Sequence, residues 1–378
     1  LLRVAVCGAA VTEELKTACT EEMLEKVYDF SLRHDLAHLV GEGVSKLSLP
    51  AGPVVTRCTQ AAMQAVVRYL RQASVFSQAC QVLEEAKIPF IPLKGSVLRN
   101  YYPQEWMRNS CDIDILVQVE NLERAKTLLA DKLKAKVSGQ SDHDISMHTW
   151  EGVHLELHYD TIQERYEVGG CRDVLAKIWE EAKPQSPESC LYVLPDALFY
   201  FYHMAHMAKH FTVGGCGIRA YLDIWVMENF VPHSKEERDA LLQEGGLLKF
   251  ARGSQALSRY WFDGEIPQDV TLALSAFILR ARLYGNQANR TALGQAKMGG
   301  KVRYLMLRRV FMPYDYLKAE YPILQKHKWL TPAYQVVRWG RMLFTGGWKS
   351  ASGELKAAAK STDKDTADAQ VLLEHLGL

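Results

Sequence analysis

Two aspartates one residue apart, Asp112 and Asp114, stand on the β-rich run Cys111–Val119, CDIDILVQV. In a strand, alternate side chains share a face. Asp112 and Asp114 therefore project together, while Ile113 and Ile115 face a helix-covered core. Side-by-side carboxylates repel, and one pKa rises unless a cation neutralises the pair. Magnesium takes oxygen ligands in octahedral array and completes its shell with phosphate oxygens and water. The run thus demands a sheet with one packed face and one charged face, in a chain whose remaining pattern is mostly helical.

The neighbouring pattern supplies that sheet. Ile88–Leu93 is short, apolar and proline-bearing, which suits an edge strand. Ser96–Tyr102 reads as a short helix stopped before Pro103. Leu122–Lys134 reads as a helix. Ile145–Trp150 and Val153–Tyr159 read as strands joined at Glu151-Gly152. This small α/β unit spans roughly 87–165. Glu156 on the last strand is the natural third carboxylate. Leu155 and Leu157 point into the core, and His154 and His158 share the face of Glu156. Upstream, Gly95 and Ser96 follow the first strand and open a helix, where glycine admits a phosphate closely and free amides attract anions. Lys94 or Arg108 adds positive charge, with Arg108 preferred because it stands four residues before Asp112. The competing reading makes Ser96 a helix cap and the acids solvated edge residues.

Helical periodicity marks 12–48 and 57–86 before this unit, with Pro50-Ala51-Gly52-Pro53 between them. It returns beyond Pro184 and Pro187 in Pro195–His210, Ile218–Glu228, Lys235–Phe262 and Asp269–Tyr284. The expected division is an N-terminal helical region 1–86, an α/β core 87–180, a helical region 181–350 and a polar tail 351–378. Asp363, Asp365 and Asp368 fall in a weakly ordered linker of that tail, before a short apolar end, VLLEHL. Eight scattered cysteines without a CxxC pair favour a reducing cytoplasm. The start, LLRVAVCGAAV, resembles part of a secretory signal, but Thr12-Glu13-Glu14 follows at once. No run of 18 uncharged apolar residues argues for a membrane span. A net charge of +1 gives no global pointer to nucleic acid. Segment 297–349 nevertheless holds eleven Lys or Arg among many aromatics. It is read as a solvated face, a peripheral membrane contact, or a contact for RNA or an anionic acceptor.

Residues 88–160 resemble the nucleotidyltransferase fold of the DNA polymerase beta superfamily through Gly95-Ser96, Asp112-x-Asp114 and Glu156. Lys94-Gly95-Ser96, Tyr102-Pro103, Arg108-x-x-x-Asp112-Ile-Asp114-x-Leu-Val117 and Glu156-Leu-His158 are similar to a group of bacterial proteins called uncharacterised nucleotidyltransferases. The likeness continues through His203, His206 and His210, Gly217-Ile-Arg219, Leu222-Asp223, and Tyr321-Pro322 to Pro332 and Arg338. Fifteen residues separate Ser96 from Asp112, a long spacing for the superfamily. The resemblance implies an α+β fold, with a small nucleotidyltransferase-type mixed sheet flanked by N-terminal helices and a large C-terminal helical region. It also implies two metal-binding aspartates, Glu156 on the acceptor-side metal, and nucleotide phosphates on Gly95-Ser96.

The expected chemistry is transfer of a nucleoside monophosphate from a triphosphate such as ATP to a hydroxyl or phosphate acceptor, favoured as a small molecule. Two Mg²⁺ ions would be held by Asp112, Asp114 and Glu156, with Lys94, Gly95, Ser96 and Arg108 on the nucleotide. His158, His206, His210 and Arg219 are candidates for the acceptor side. Lys209 also offers charge there, and Asp223 is expected to orient Lys209 or Arg219. Modification of tRNA or protein, and nucleotide binding without catalysis, are the alternatives.

Overall fold

The protein is described from a computed structural model covering residues 1–161, 168–283, 285–297, 311–344 and 363–378. It is α+β. The centre is a five-stranded sheet in the order β1-β2-β5-β4-β3, with β1 Phe90–Pro92, β2 Asp112–Val117, β3 Lys136–Gln140, β4 Asp144–His148 and β5 His154–His158. Only β2 and β5 run parallel; every other neighbouring pair is antiparallel. β1 does lie at an edge, where Pro92 needs no ladder donor.

Alternation decides the layers. Ile113, Ile115, Val117, Leu155, Leu157, Ile145 and Met147 form one face, buried with the helix Leu122–Lys132 and with Val75, Ala79 and Leu83 of the helix Pro53–Glu85. That 33-residue helix starts inside the Pro-Ala-Gly-Pro break, because proline in the first turn costs no hydrogen bond. On the other face Ile91 and Leu116 join a larger core built from the helices Asp196–Thr212, Ile218–Phe230 and Leu248–Phe262. The expected helix 235–262 is two helices, Lys235–Glu244 and Leu248–Phe262, separated at Gly245-Gly246, where Gly246 takes φ +72°.

Two elements differ from the sequence reading. β3, sequence KVSGQ, is exposed along its whole length and shifts register between Val137 and Gly139, so no buried alternation betrays it. Where a weakly ordered linker and a short apolar end are expected, Asp363–Leu376 is one continuous helix, and Leu372, Leu373 and Leu376 of that end join Ala369 in the larger core. In the basic segment Arg338 is buried, Arg341 pairs with Glu320 at 2.9 Å and Lys328 lies 4.8 Å from the Tyr314 ring centre. Arg308-Arg309 lie outside the described residues. All eight cysteines are free thiols. No helix among the described residues is long and apolar enough to cross a membrane.

Candidate active site

The parallel pairing of β2 and β5 puts Asp112 beside His154, Asp114 beside Glu156 and Leu116 beside His158. Antiparallel β4 then sets His148 against His154, Ser146 against Glu156 and Asp144 against His158. Residues directly opposite in a sheet share a face. Three strands therefore carry one polar grid, backed by the apolar face that holds the strands in register. The hairpin between β4 and β5 turns at Gly152, φ +77°, whose amide donates to the Thr149 carbonyl at 2.9 Å.

Two nitrogen donors, Lys94 and His158, enter the grid. Lys94 Nζ lies 2.7 Å from Asp114 Oδ1 and 3.9 Å from Glu156 Oε2. His158 Nε2 lies 2.8 Å from the same Asp114 oxygen and 3.3 Å from Glu156 Oε2. Burial alone would raise the Asp114 pKa, but Lys94 and the His158 hydrogen bond outweigh it and hold the carboxyl far below its ordinary range. Burial also opposes charge on Lys94, and the carboxylates, Asp114 foremost, overcome it and push its pKa well up. For His158, burial and Lys94 oppose protonation, while hydrogen bonds with Asp114 and Glu156 give a net rise. Asp112 has no such partner; burial, then the Asp114 charge, push its pKa up.

Lys94 reaches Asp114 from an unusual backbone. It is the residue before the short helix Gly95–Leu98 and adopts φ 44°, ψ −120°, outside the regions open to a side-chain-bearing residue. Such a conformation costs about 1–3 kcal/mol and persists only where surrounding contacts impose it. Here the ladder bond from the Leu93 amide to the Asp114 carbonyl, 3.0 Å, fixes one side and the buried ion pair the other. Gly95 is required by packing: a Cβ there would come within 2.9 Å of Ser110 Cβ. Ser96 is buried, and its amide is spent on the Leu93 carbonyl at 3.2 Å, so the expected free amide is used within the turn.

A cavity of about 480 Å³ opens between the sheet and the helices Asp196–Thr212 and Ile218–Phe230. Lys94, Gly95, Arg108, Asp112 and Glu156 line its sheet side. His206, His210 and Arg219 line the opposite wall, with His203 and Lys209. Asp114, His158 and Ser96 are buried and are not among the lining residues. Asp223 holds Arg108 instead of Lys209 or Arg219: Arg108 Nε and the Tyr102 hydroxyl donate to its Oδ1 at 2.6 and 2.7 Å. Arg219 donates to Asp35 at 2.7 Å and to the Asn109 carbonyl at 2.9 Å. Sequence reasoning missed Asp144, His143 and Tyr202 as lining residues. Asp144 was findable, because Asp144-x-Ser146-x-His148 mirrors His154-x-Glu156-x-His158 across the hairpin.

Burial favours neutral imidazoles on the opposite wall. It pushes His210 down to about 4, aided by Lys209, and His206 well below its ordinary range, aided by His210. Their Nε2 atoms lie 3.1 Å apart, so one ring donates and the other accepts. Burial, with Lys94 next, lowers Lys209 to about 8, and burial, with His158 next, lowers His143 to about 4. A histidine depressed in the folded state gains its proton first in the unfolded chain. The unfolded state therefore binds more protons between pH about 4 and 6.5, and stability falls as pH drops through that window. Thermal unfolding followed at pH 7, 6 and 5 is expected to show a falling midpoint. His143→Gln should flatten the profile, and an unchanged slope in that variant would argue against neutral burial of this ring.

The donor set fits a divalent cation. One ligand atom each from Asp112, His154 and Glu156 lie within 4.8 Å of one another, as do those from Asp114, Glu156 and His158. Glu156 is common to both sets. Neither set contains both aspartates, which the sequence reading had placed on shared ions.

Comparison with known proteins bears on the same strands. The family described as "Uncharacterised nucleotidyltransferase" matches residues 20–263, a span that holds the sheet, the polar grid and both cavity-forming helices. No curated protein and no solved structure matches the chain. With well over half of its length matched, the chain belongs to the uncharacterised nucleotidyltransferase family.

Proposed function

We propose that the protein is a divalent-metal-dependent enzyme that moves a nucleoside monophosphate from a nucleoside triphosphate to a hydroxyl or phosphate group of a small molecule. The observation that carries this reading is the register of β2 on β5, which aligns Asp114 with Glu156 and leaves Asp112 and Glu156 lining a cavity. Asp112, Asp114 and Glu156 would hold the cation, with His154 and His158 within reach. A bound divalent ion would polarise the α-phosphate and lower the pKa of the attacking hydroxyl.

The chain's own residues do the rest. Lys94 and Arg108 offer positive charge to the phosphates on the sheet side of the cavity, and Gly95 leaves the backbone bare between them. Glu156 stands toward the acceptor. The acceptor oxygen attacks the α-phosphorus, and the bond to pyrophosphate breaks on the far side. The volume supports a small acceptor: about 480 Å³ falls within the range of clefts that bind small molecules. The neutral imidazoles of His206 and His210 offer hydrogen bonds on the acceptor wall. Eight free cysteines support action in a reducing cytoplasm.

The test supplies α-labelled ATP, CTP, GTP and UTP with Mg²⁺ and a fractionated cell extract, and asks which component gains label. Label in a low-molecular-weight fraction, dependent on Mg²⁺ and absent with Asp112→Asn, supports the reading. Label confined to RNA or protein would replace the small acceptor. Nucleotide binding with no labelled product in any fraction would point to a non-catalytic nucleotide-binding protein.

A further inference from the structure

Lys94 combines two features that the proposed transfer does not require of a phosphate-binding lysine. Its backbone stands at φ 44°, ψ −120°, a conformation suited to glycine. Its ammonium is turned onto the carboxylates, 2.7 Å from Asp114 Oδ1 and 3.9 Å from Glu156 Oε2. These acids also belong to the inner ligand set, Asp114, Glu156 and His158. An ammonium and a divalent ion would thus compete for the same oxygens, and Asp114 at 1% exposure has no room to serve both through solvent.

We propose that Lys94 is a built-in counter-ion of the inner carboxylates, which a divalent cation and the triphosphate must displace together. Lys94 also lines the cavity, so the phosphates are the acceptor for its charge once it leaves Asp114. Metal alone must evict the ammonium from its shortest ion pair into a cavity where the carboxylates of Asp112 and Asp144 are its remaining anions. Metal with nucleotide moves it from a carboxylate to a phosphate oxygen. Each ligand therefore strengthens the other, and the coupling is reciprocal. The device keeps the site closed to metal when no nucleotide is present. It rests on the reading that these carboxylates bind metal.

Mn²⁺ binding, followed by the paramagnetic resonance of the free ion, tests this without turnover. Wild type, Lys94→Met and Lys94→Gly are titrated with and without a non-hydrolysable triphosphate analogue. Glycine suits the local backbone, so this variant keeps the fold while removing the charge. Without the analogue both variants are expected to bind Mn²⁺ about tenfold tighter than wild type, and the analogue should tighten wild type more than either variant. Variants that bind Mn²⁺ no tighter than wild type without nucleotide overturn the proposal. Mn²⁺ binding that survives in the double variant Asp112→Asn, Asp114→Asn overturns the metal reading itself, as does absence of binding in every form.

Discussion

Asp112→Asn and Asp114→Asn are each expected to lower nucleotidyl transfer by about 10³-fold or more, yet to part company in stability. The kinetic loss follows from weakening a cation whose charge stabilisation is worth several kcal/mol, where each 1.4 kcal/mol is tenfold in rate. Stability depends on what each acid touches. Asp112 is half-buried at the cavity edge and its pKa is already raised, so a neutral amide relieves repulsion with Asp114. Its midpoint of thermal unfolding should stay within a degree or two of wild type, or rise. Asp114 is the shared acceptor of Lys94 and His158. Asparagine there leaves the Lys94 ammonium and the buried His158 N–H facing an amide, and the midpoint should fall clearly. Initial rates with labelled triphosphate, beside melting curves, measure both. Full metal-dependent activity in both variants would remove the aspartates from the chemistry. Equal stability of the two would contradict the buried ion pair.

That contrast shows which part of the site was readable in one dimension. Alternation along DIDILV and HLELH placed three carboxylates on one face, because side-chain direction in a strand follows from period two alone. The change from helical spacing to short β-rich runs gave the α+β class, and Pro92 gave an edge strand. Contacts between distant segments left no such trace. Nothing local to Lys94 tells that its side chain turns back to Asp114, since that depends on a strained turn after β1 pairing with β2. Arg108 and Asp223 are 115 residues apart, and their pairing depends on how the helix Ile218–Phe230 packs on the sheet. β3 has no buried face to announce it. The terminal helix looked like a tail because its apolar residues are few, although Ala369, Leu372, Leu373 and Leu376 share one buried side.

Removing Asp223 is expected to destabilise the protein more than Asp112→Asn at the cavity edge. Asp223 Oδ1 accepts from Arg108 Nε and from the Tyr102 hydroxyl, and all three groups are buried. The pairing ties the helix Ile218–Phe230 to the loop that enters β2 four residues later. Burial opposes charge on Arg108, and Asp223 overcomes it to raise the arginine's pKa; a guanidinium is so strong a base that it stays charged even when its partner goes. Asp223→Ala leaves that charge with the Asn109 carbonyl, 2.8 Å from Nη1, as its remaining hydrogen-bond acceptor. Breaking a buried pair from one side costs about 3–5 kcal/mol. Arg108→Met in the same chain removes the stranded charge and should restore much of the loss, because an apolar replacement of both partners is nearly neutral. Urea denaturation of the wild type, both single variants and the double variant gives the coupling directly. A loss below about 1 kcal/mol for Asp223→Ala, or a double variant no better than the single, would mean that water reaches Arg108 and that this pair does not hold the helix to the loop entering β2.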